Sequence, residues 1–350
     1  MTPFGGWDMP LTYEQGQLAE HKIVRTAVGM FDVSHMGQVR FQGEDALAFL
    51  QMLVPADIAA LKDSGSKYTH LCNEHGGVID DLIVSRLGPS EYFAVVNAST
   101  RVGDVEWMRQ KARDLGYTSV KITDESDRWA MIAVQGPQAL AVLDAQVPGR
   151  KWSETPALTL HPFLNHGEMH LLSRTGYTGE AGAELLCPAH FAEDWWERFL
   201  EAGVAPCGLA ARDSLRLEAG YCLYGNDLDL KGTPVEAGLS WTIGWTKPER
   251  YLGRLILDKQ KAEGPRRKLV GLRTETRRPL RHGDKVLLNG AEVGEVTSGG
   301  FSPMLECGIA LAYVSAEAAR AGTLDIQSKT ATQPARVVKP PFVKTSLSKN

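Results

Sequence analysis

Two adjacent carboxylates, Asp80 and Asp81, interrupt the apolar run from Val78 to Val84 just after the Gly76-Gly77 turn. The run has the composition of a strand, and neighbouring strand side chains point to opposite faces, so the two cannot work as one dyad. One of them enters a site or a core, and the other faces the opposite way. A carboxylate in an apolar strand costs stability unless it is paired or serves a function. Capping of the preceding turn is an equally simple account of such an Asp.

A second candidate runs from Arg174 to Glu184, with Gly176, Gly179 and Gly182 at a spacing of three. Such glycines let a backbone pass close to a ligand or turn tightly. They match neither the dinucleotide fingerprint nor the phosphate loop with its Lys-Ser/Thr. Tyr177 in this loop offers a flat apolar face with a polar tip, and Glu184 leads into a strand where its carboxylate can meet a pair of donors. A structural hairpin loop explains the same glycines.

The third candidate is the helical stretch after Cys207, where Arg212 and Arg216 form an i,i+4 pair of like charges. They call for an anionic ligand or for carboxylates such as Asp213 and Glu218, and an internal salt-bridge network answers equally well. The histidines offer less. His166 and His170 are four apart, but Gly167 and the strand-like sequence after it argue against a helical metal pair, so no metal is expected. His35 and His75 read as structural, and Trp195, Trp196 and Phe199 as core packing.

Elements must hold these residues. Apolar spacing predicts helices over 13–25, 45–53, 98–115, 137–143, 191–202 and 209–218, the third with Val105, Met108, Ala112 and Leu115 along one stripe. It predicts strands over 78–84 with 92–97 as hairpin partner, over 129–134 and over 169–172, and a strand-like stretch over 28–41 broken by polar residues. Strands and helices mix without regular alternation, which predicts an α+β fold. Beyond a linker at 263–267, short strands separated by Gly and Pro predict a small β barrel or jelly roll.

The chain has 350 residues, 43% hydrophobic and 23% charged, with a net charge of −4. That is the balance of a globular protein with no global positive field for nucleic acid. Arg277, Arg278, Arg281 and His282 read as a solvated basic loop. Five scattered cysteines without a Cys-x-x-Cys pair argue against a disulfide framework or a zinc site and favour a reducing compartment. No signal peptide and no long apolar run is visible, so a cytoplasmic protein without membrane attachment is expected.

Several motifs, taken in order, resemble the T-protein family of the glycine cleavage system over almost the whole chain. They are 3–10 (Pro-Phe-Gly-Gly-Trp-Asp-Met-Pro), 29–36, 76–84, 95–98, 133–137, 174–184, 207–225, 267–272, 296–299 with 302–303, and 339–343. The resemblance implies folate held in a central cavity. Two interleaved α+β subdomains would form a folate-binding region over 1–265, with a jelly-roll-like β-barrel domain over 266–350. It implies that Asp81 is the essential carboxylate, and that Tyr68, Tyr177, Glu184 and Arg212, with Met36 and Asn97, line the folate pocket. The implied reaction takes a methylene carbon from the aminomethylated lipoyl arm of the H-protein to tetrahydrofolate, releasing ammonia. Flat Tyr and Met surfaces suit a pterin and an aminobenzoate, Glu184 suits the pterin's donor edge, and Arg212 suits a carbonyl or carboxylate.

Two departures accompany the likeness. The family usually carries a short segment before the Pro-Phe-Gly-Gly-Trp motif, and this chain begins almost on it. Some relatives place a folate-contacting Tyr near the C-terminus, and the tail from Val343 to Asn350 has none. A folate-dependent demethylase of the same superfamily is the alternative. A non-enzymatic folate-binding factor for iron–sulfur proteins is disfavoured, because its Lys-Gly-Cys-Tyr loop has only Lys247-Pro-Glu-Arg-Tyr251 as counterpart.

Overall fold

A computed structural model of the chain describes residues 1–347; residues 348–350, the end of the tail without Tyr, lie outside the described residues. The chain opens with a hairpin of β1 (Thr2–Phe4) and β2 (Trp7–Met9), followed by helix α1 (Gln17–Thr26). The helix begins later than the spacing predicts because residues 13–16 form a turn, with Gly16 N–H bonded to Tyr13 O at 3.1 Å and Gly16 at φ 76°.

The strand-like stretch 28–41 is two strands in two different sheets, β3 (Gly29–Asp32) and β4 (Gly37–Gln42). Between them Asp32 Oδ1 accepts the Ser34 N–H at 2.9 Å, an Asx turn that ends the first strand and redirects the chain. Next come α2 (Ala46–Leu53), β5 (Ser66–Cys72), β6 (Val78–Gly88), β7 (Glu91–Val96), α3 (Arg101–Asp114) and β8 (Lys121–Asp124). The strands form a sheet ordered β5-β6-β7-β4-β8, with β6 and β7 the expected hairpin. One face packs with Phe49, Leu50, Leu53 and Met108 of the helices into a core that includes Phe41, Leu82 and Val84. Along β6 the burial alternates, so Asp80, Leu82 and Val84 face that core while Asp81 and Ile83 face the other side. The buried stripe of α3 is Asp104, Val105, Met108 and Ala112; Leu115, expected on it, is 46% exposed because the helix has ended before it.

The second sheet uses β9 (Trp129–Gln135), β10 (Leu160–Asn165), β11 (Glu168–Ser173), β12 (Gly182–Pro188) and the short β13 (Ala205–Pro206), with helices α4 (Ala139–Gln146), α5 (Ala192–Glu201) and α6 (Leu209–Ala219). Its order is β10-β11-β12-β9-β3-β13, so the early strand β3 is inserted beside β9. Trp195 and Phe199 of α5 fill its core, as expected, while Trp196 is half-buried and stacks on Tyr13. His166 sits at the β10–β11 turn with φ 50°, and His170 packs among Phe163, Phe191 and Trp195, so the two histidines serve a hairpin and a core.

After α7 (Arg254–Glu263), strands β14 (Arg267–Arg273), β15 (Lys285–Leu288), β16 (Ala291–Ser302), β17 (Cys307–Ser315), β18 (Thr323–Gln327) and β19 (Thr332–Val338) close a six-stranded barrel ordered β14-β17-β16-β15-β18-β19. The fold is therefore α+β with a closed barrel. The barrel leans on α6, where Leu217 packs with Cys307, Ile309 and Leu311 and Arg216 Nη2 donates to Ser298 Oγ at 3.0 Å. Among the described residues no helix is long and apolar enough to cross a membrane.

Candidate active site

Asp81 leaves β6 on the face away from the helices and is half-buried. Two donors hold it: the hydroxyl of Tyr68, two residues away on the paired strand β5, reaches Oδ2 at 2.9 Å, and Asn97 Nδ2 reaches Oδ1 at 2.9 Å. Asn97 stands just past β7, where the chain turns toward α3. There the same Nδ2 also reaches Asp80 Oδ1 at 2.8 Å, and the Asn97 backbone N–H reaches Asp80 Oδ2 at 3.0 Å. Burial, and next the negative charge of Asp80, push the Asp81 carboxyl up to about 7. The Gly76-Gly77 turn is held instead by Asn73 Oδ1, which accepts the N–H groups of His75 and Gly77 at 2.9 and 3.0 Å. Neither aspartate caps it, and His75 is exposed on it.

Glu184, Tyr177 and Arg212 form the second cluster. Glu184 is a buried residue of β12 between Ser173 of β11 and Ala133 of β9, and its Oε2 accepts the hydroxyl of Thr175. Burial raises its proton affinity, and the Thr175 hydrogen bond and the charge of Arg212 oppose that rise. Tyr177 donates its hydroxyl to Cys222 O and presents its ring to Arg212, whose guanidinium carbon lies 4.8 Å from the ring centre. The loop must come close here: a Cβ on Gly176 would lie 2.0 Å from Gln135 Oε1.

The Arg212–Arg216 pair splits. Arg216 is absorbed in an internal network, donating to Asp213, Asp227, Ser298 and the Tyr221 carbonyl. Arg212 Nη1 is buried with no hydrogen-bond acceptor among the described residues. A buried guanidinium nitrogen without a partner leaves unsatisfied a group that native structures almost always pair, and an acceptor from a ligand would satisfy it. Arg212 also acts on His35, a buried residue in the turn before β4; burial, then the charge of Arg212, lower the imidazole to about 4, and its Nδ1 has no partner among the described residues. Met36, beside it, is half-buried and packs on the cluster of Phe31, Phe93, Met131 and Leu215.

The carboxylate and the arginine cluster share a field, since the charge of Asp81 reaches the Tyr177 hydroxyl, and that hydroxyl acts in turn on the hydroxyl of Tyr68. Trp241, not singled out by its sequence context, completes the surroundings of Asp81. It is 69% exposed and stacks on Tyr68 with ring centres 6.0 Å apart and planes at 28°. The arrangement thus offers flat aromatic faces, a carboxylate with a proton affinity near neutrality, a second buried carboxylate and an unpaired guanidinium. Such a set suits a flat, polar-edged molecule with a reacting nitrogen.

The sequence matches the GCVT N-terminal domain over residues 1–247 and the glycine cleavage T-protein C-terminal barrel domain over residues 267–344. The chain belongs to the glycine cleavage T-protein family. It is 44% identical over 353 residues to the aminomethyltransferase of Picosynechococcus sp., covering 98% of this chain and 94% of that one. It is 43% identical to the aminomethyltransferase of Rubrobacter xylanophilus, covering 98% and 90%. The crystal structure of glycine cleavage system aminomethyltransferase T from Bartonella henselae superposes with a TM-score of 0.89 at 36% identity, covering 98% of this chain and 93% of that one. These T-protein relatives carry the name aminomethyltransferase, which supports that activity and lends nothing to the demethylase alternative.

Proposed function

We propose that this T-protein family member takes the one-carbon unit of an aminomethyl group on the lipoyl arm of the H-protein and passes it to tetrahydrofolate. Ammonia and 5,10-methylenetetrahydrofolate are the products. The observation that carries the reading is the Asp81 carboxylate, fixed by Tyr68 and Asn97 and raised to about 7, with the Glu184–Arg212–Tyr177 cluster within its field.

The folate pocket on this reading consists of Met36, Tyr68, Asn97, Tyr177, Glu184 and Arg212. Glu184 accepts hydrogen bonds from the pterin's donor edge, and Arg212 supplies its unpaired Nη1 to a carbonyl or carboxylate of the folate. Tyr177 and the Tyr68–Trp241 stack give the flat rings apolar faces. Asp81 orients the reduced folate and stabilises the positive charge that builds as a folate nitrogen attacks the aminomethyl carbon. The carbon's bond to nitrogen breaks and ammonia leaves; its bond to sulfur breaks and the lipoyl thiol is released; both folate nitrogens end bonded to it. Holding the two substrates in register is worth up to about 7–11 kcal/mol. Proton handling by Asp81 adds about 10²–10⁴-fold. No metal has a part in this scheme.

All of these groups fall within residues 1–265, read as the folate-binding region, while the barrel region from 266 onward braces α6. A cytoplasmic setting fits the five cysteines, all free and buried. The test is ammonia release from aminomethylated H-protein with and without tetrahydrofolate. Folate-dependent release is expected, and release indifferent to folate would remove the proposed acceptor.

A further inference from the structure

Behind Asp81, on the helix-covered face of β6, lie two carboxyl groups that the reaction above does not use: Asp80 and Asp104 of α3, 0% and 1% exposed. Their carboxyl groups lie within hydrogen-bond reach of each other, with the Thr100 side chain within reach of both. Two carboxylates cannot share a hydrogen bond without a proton, so one of them is an acid. The donors decide which. Asp80 accepts the side-chain N–H of Asn97 on one oxygen and its backbone N–H on the other, at 2.8 and 3.0 Å. Asp104 has a buried Oδ2 that no donor among the described residues reaches, the natural seat for the proton. The ionisable groups shown to act on the pair or to be acted on by it are Asp81 and Tyr224, and neither is a cation. Burial, and next the charge of Asp80, push Asp104 up to about 9.

We propose that Asp104 is a positioning residue for the transfer reaction: held as the neutral acid, it donates to Asp80, keeps Asp80 the anion that grips Asn97, and through Asn97 fixes the Asp81 carboxylate. The device works because Asn97 faces both aspartates with one nitrogen. While Asp80 is an anion, the amide must turn its N–H groups toward Asp80, and Asp81 receives one as well. If Asp80 held the proton, it could donate to the Asn97 amide oxygen. The amide would turn over and set that oxygen against Asp81, a repulsive contact. The proposal rests on Asp81 being the group that meets the substrate.

The test uses the full chain with Asp104→Asn, Asp104→Ala and Asp81→Asn side by side, each read by infrared spectroscopy and by kcat and KM against pH. The wild-type protein is expected to show a carboxylic-acid carbonyl band persisting above neutral pH and lost in Asp104→Asn. That variant's amide donates to Asp80 as the acid did, so kcat stays within about threefold. Asp104→Ala lowers kcat by about ten- to a hundredfold with KM for tetrahydrofolate nearly unchanged, as expected for a displaced carboxylate. Its acid limb also moves, because Asp80 then takes up the proton and the Asp81 carboxylate loses both a negative neighbour and the Asn97 donor. Absence of the band, its survival in Asp104→Asn, or a wild-type kcat and pH profile in Asp104→Ala overturns the proposal. Should Asp104→Ala not fold, the infrared comparison with Asp104→Asn decides alone. Activity surviving in Asp81→Asn removes the underlying reading and the proposal with it, whereas an inactive Asp81→Asn beside an unaltered Asp104→Ala removes the proposal only.

Discussion

Arg212 and Arg216, one turn apart on α6, meet opposite surroundings: Arg216 Nη1 is bonded to Asp227 Oδ2 at 3.1 Å, whereas Arg212 lies over the Tyr177 ring and its buried Nη1 has no acceptor among the described residues. On the proposed reading, the difference separates a structural cation from a cation kept for a ligand. Replacing Arg216 by Met strands the buried Asp227 carboxylate and is expected to cost about 3–5 kcal/mol in urea unfolding. Replacing Arg212 by Met removes an unsatisfied group and is expected to leave stability unchanged or raised. It should weaken tetrahydrofolate binding by roughly 10–100-fold, the loss of one charge-assisted hydrogen bond. Calorimetric titration beside the unfolding curves checks both.

Tyr68→Phe removes one of the two donors to Asp81 and keeps the ring against Trp241. The Tyr68 hydroxyl holds the Asp81 carboxyl down, against burial and Asp80. Without it the acid limb of kcat moves to higher pH, and the rate at neutral pH falls by about tenfold. The kcat–pH profile reads both.

Asp104 imposes a pH dependence on stability. Its folded-state proton affinity lies above that of an unfolded Asp, so its contribution is fully present below about pH 4 and is lost as pH rises through about 9. Against Asp104→Asn, which does not titrate, the wild-type chain is expected to lose stability between pH 6 and 9 by on the order of 1 kcal/mol per pH unit. Urea midpoints of the two proteins across that range give the difference.

Much of this site was legible in the sequence because its residues sit in strongly patterned segments. Period-two alternation over Val78–Gly88 puts Asp80 and Asp81 on opposite faces, and the structure keeps them so. What the pattern could not show is that Asn97, at a strand end, reaches both faces at once. Tyr68 came from the family likeness alone, since β5 carries Ser66, Lys67, Thr69 and His70 and reads as polar; its hydrogen bonds to β6 make it a strand. The short barrel strand β18 gives little strand signal for the same reason, with Asp325 between its two buried residues. His35 and Trp241 gain their surroundings from residues far along the chain, Arg212 and Tyr68, and no local spacing announces them. The break of the 28–41 stretch between two sheets was visible only as polar residues, because an Asx turn has no period.

The most direct test of the account is single-turnover ammonia release by Asp81→Asn from aminomethylated H-protein with saturating tetrahydrofolate. Asn keeps the size of the side chain but carries no charge and takes up no proton in this range. The expected result is release slowed by at least about 10²-fold with tetrahydrofolate still bound, beside a wild-type rate that falls as pH drops through about 7. Release at the wild-type rate, with the same pH profile, would contradict the central role given to this carboxylate.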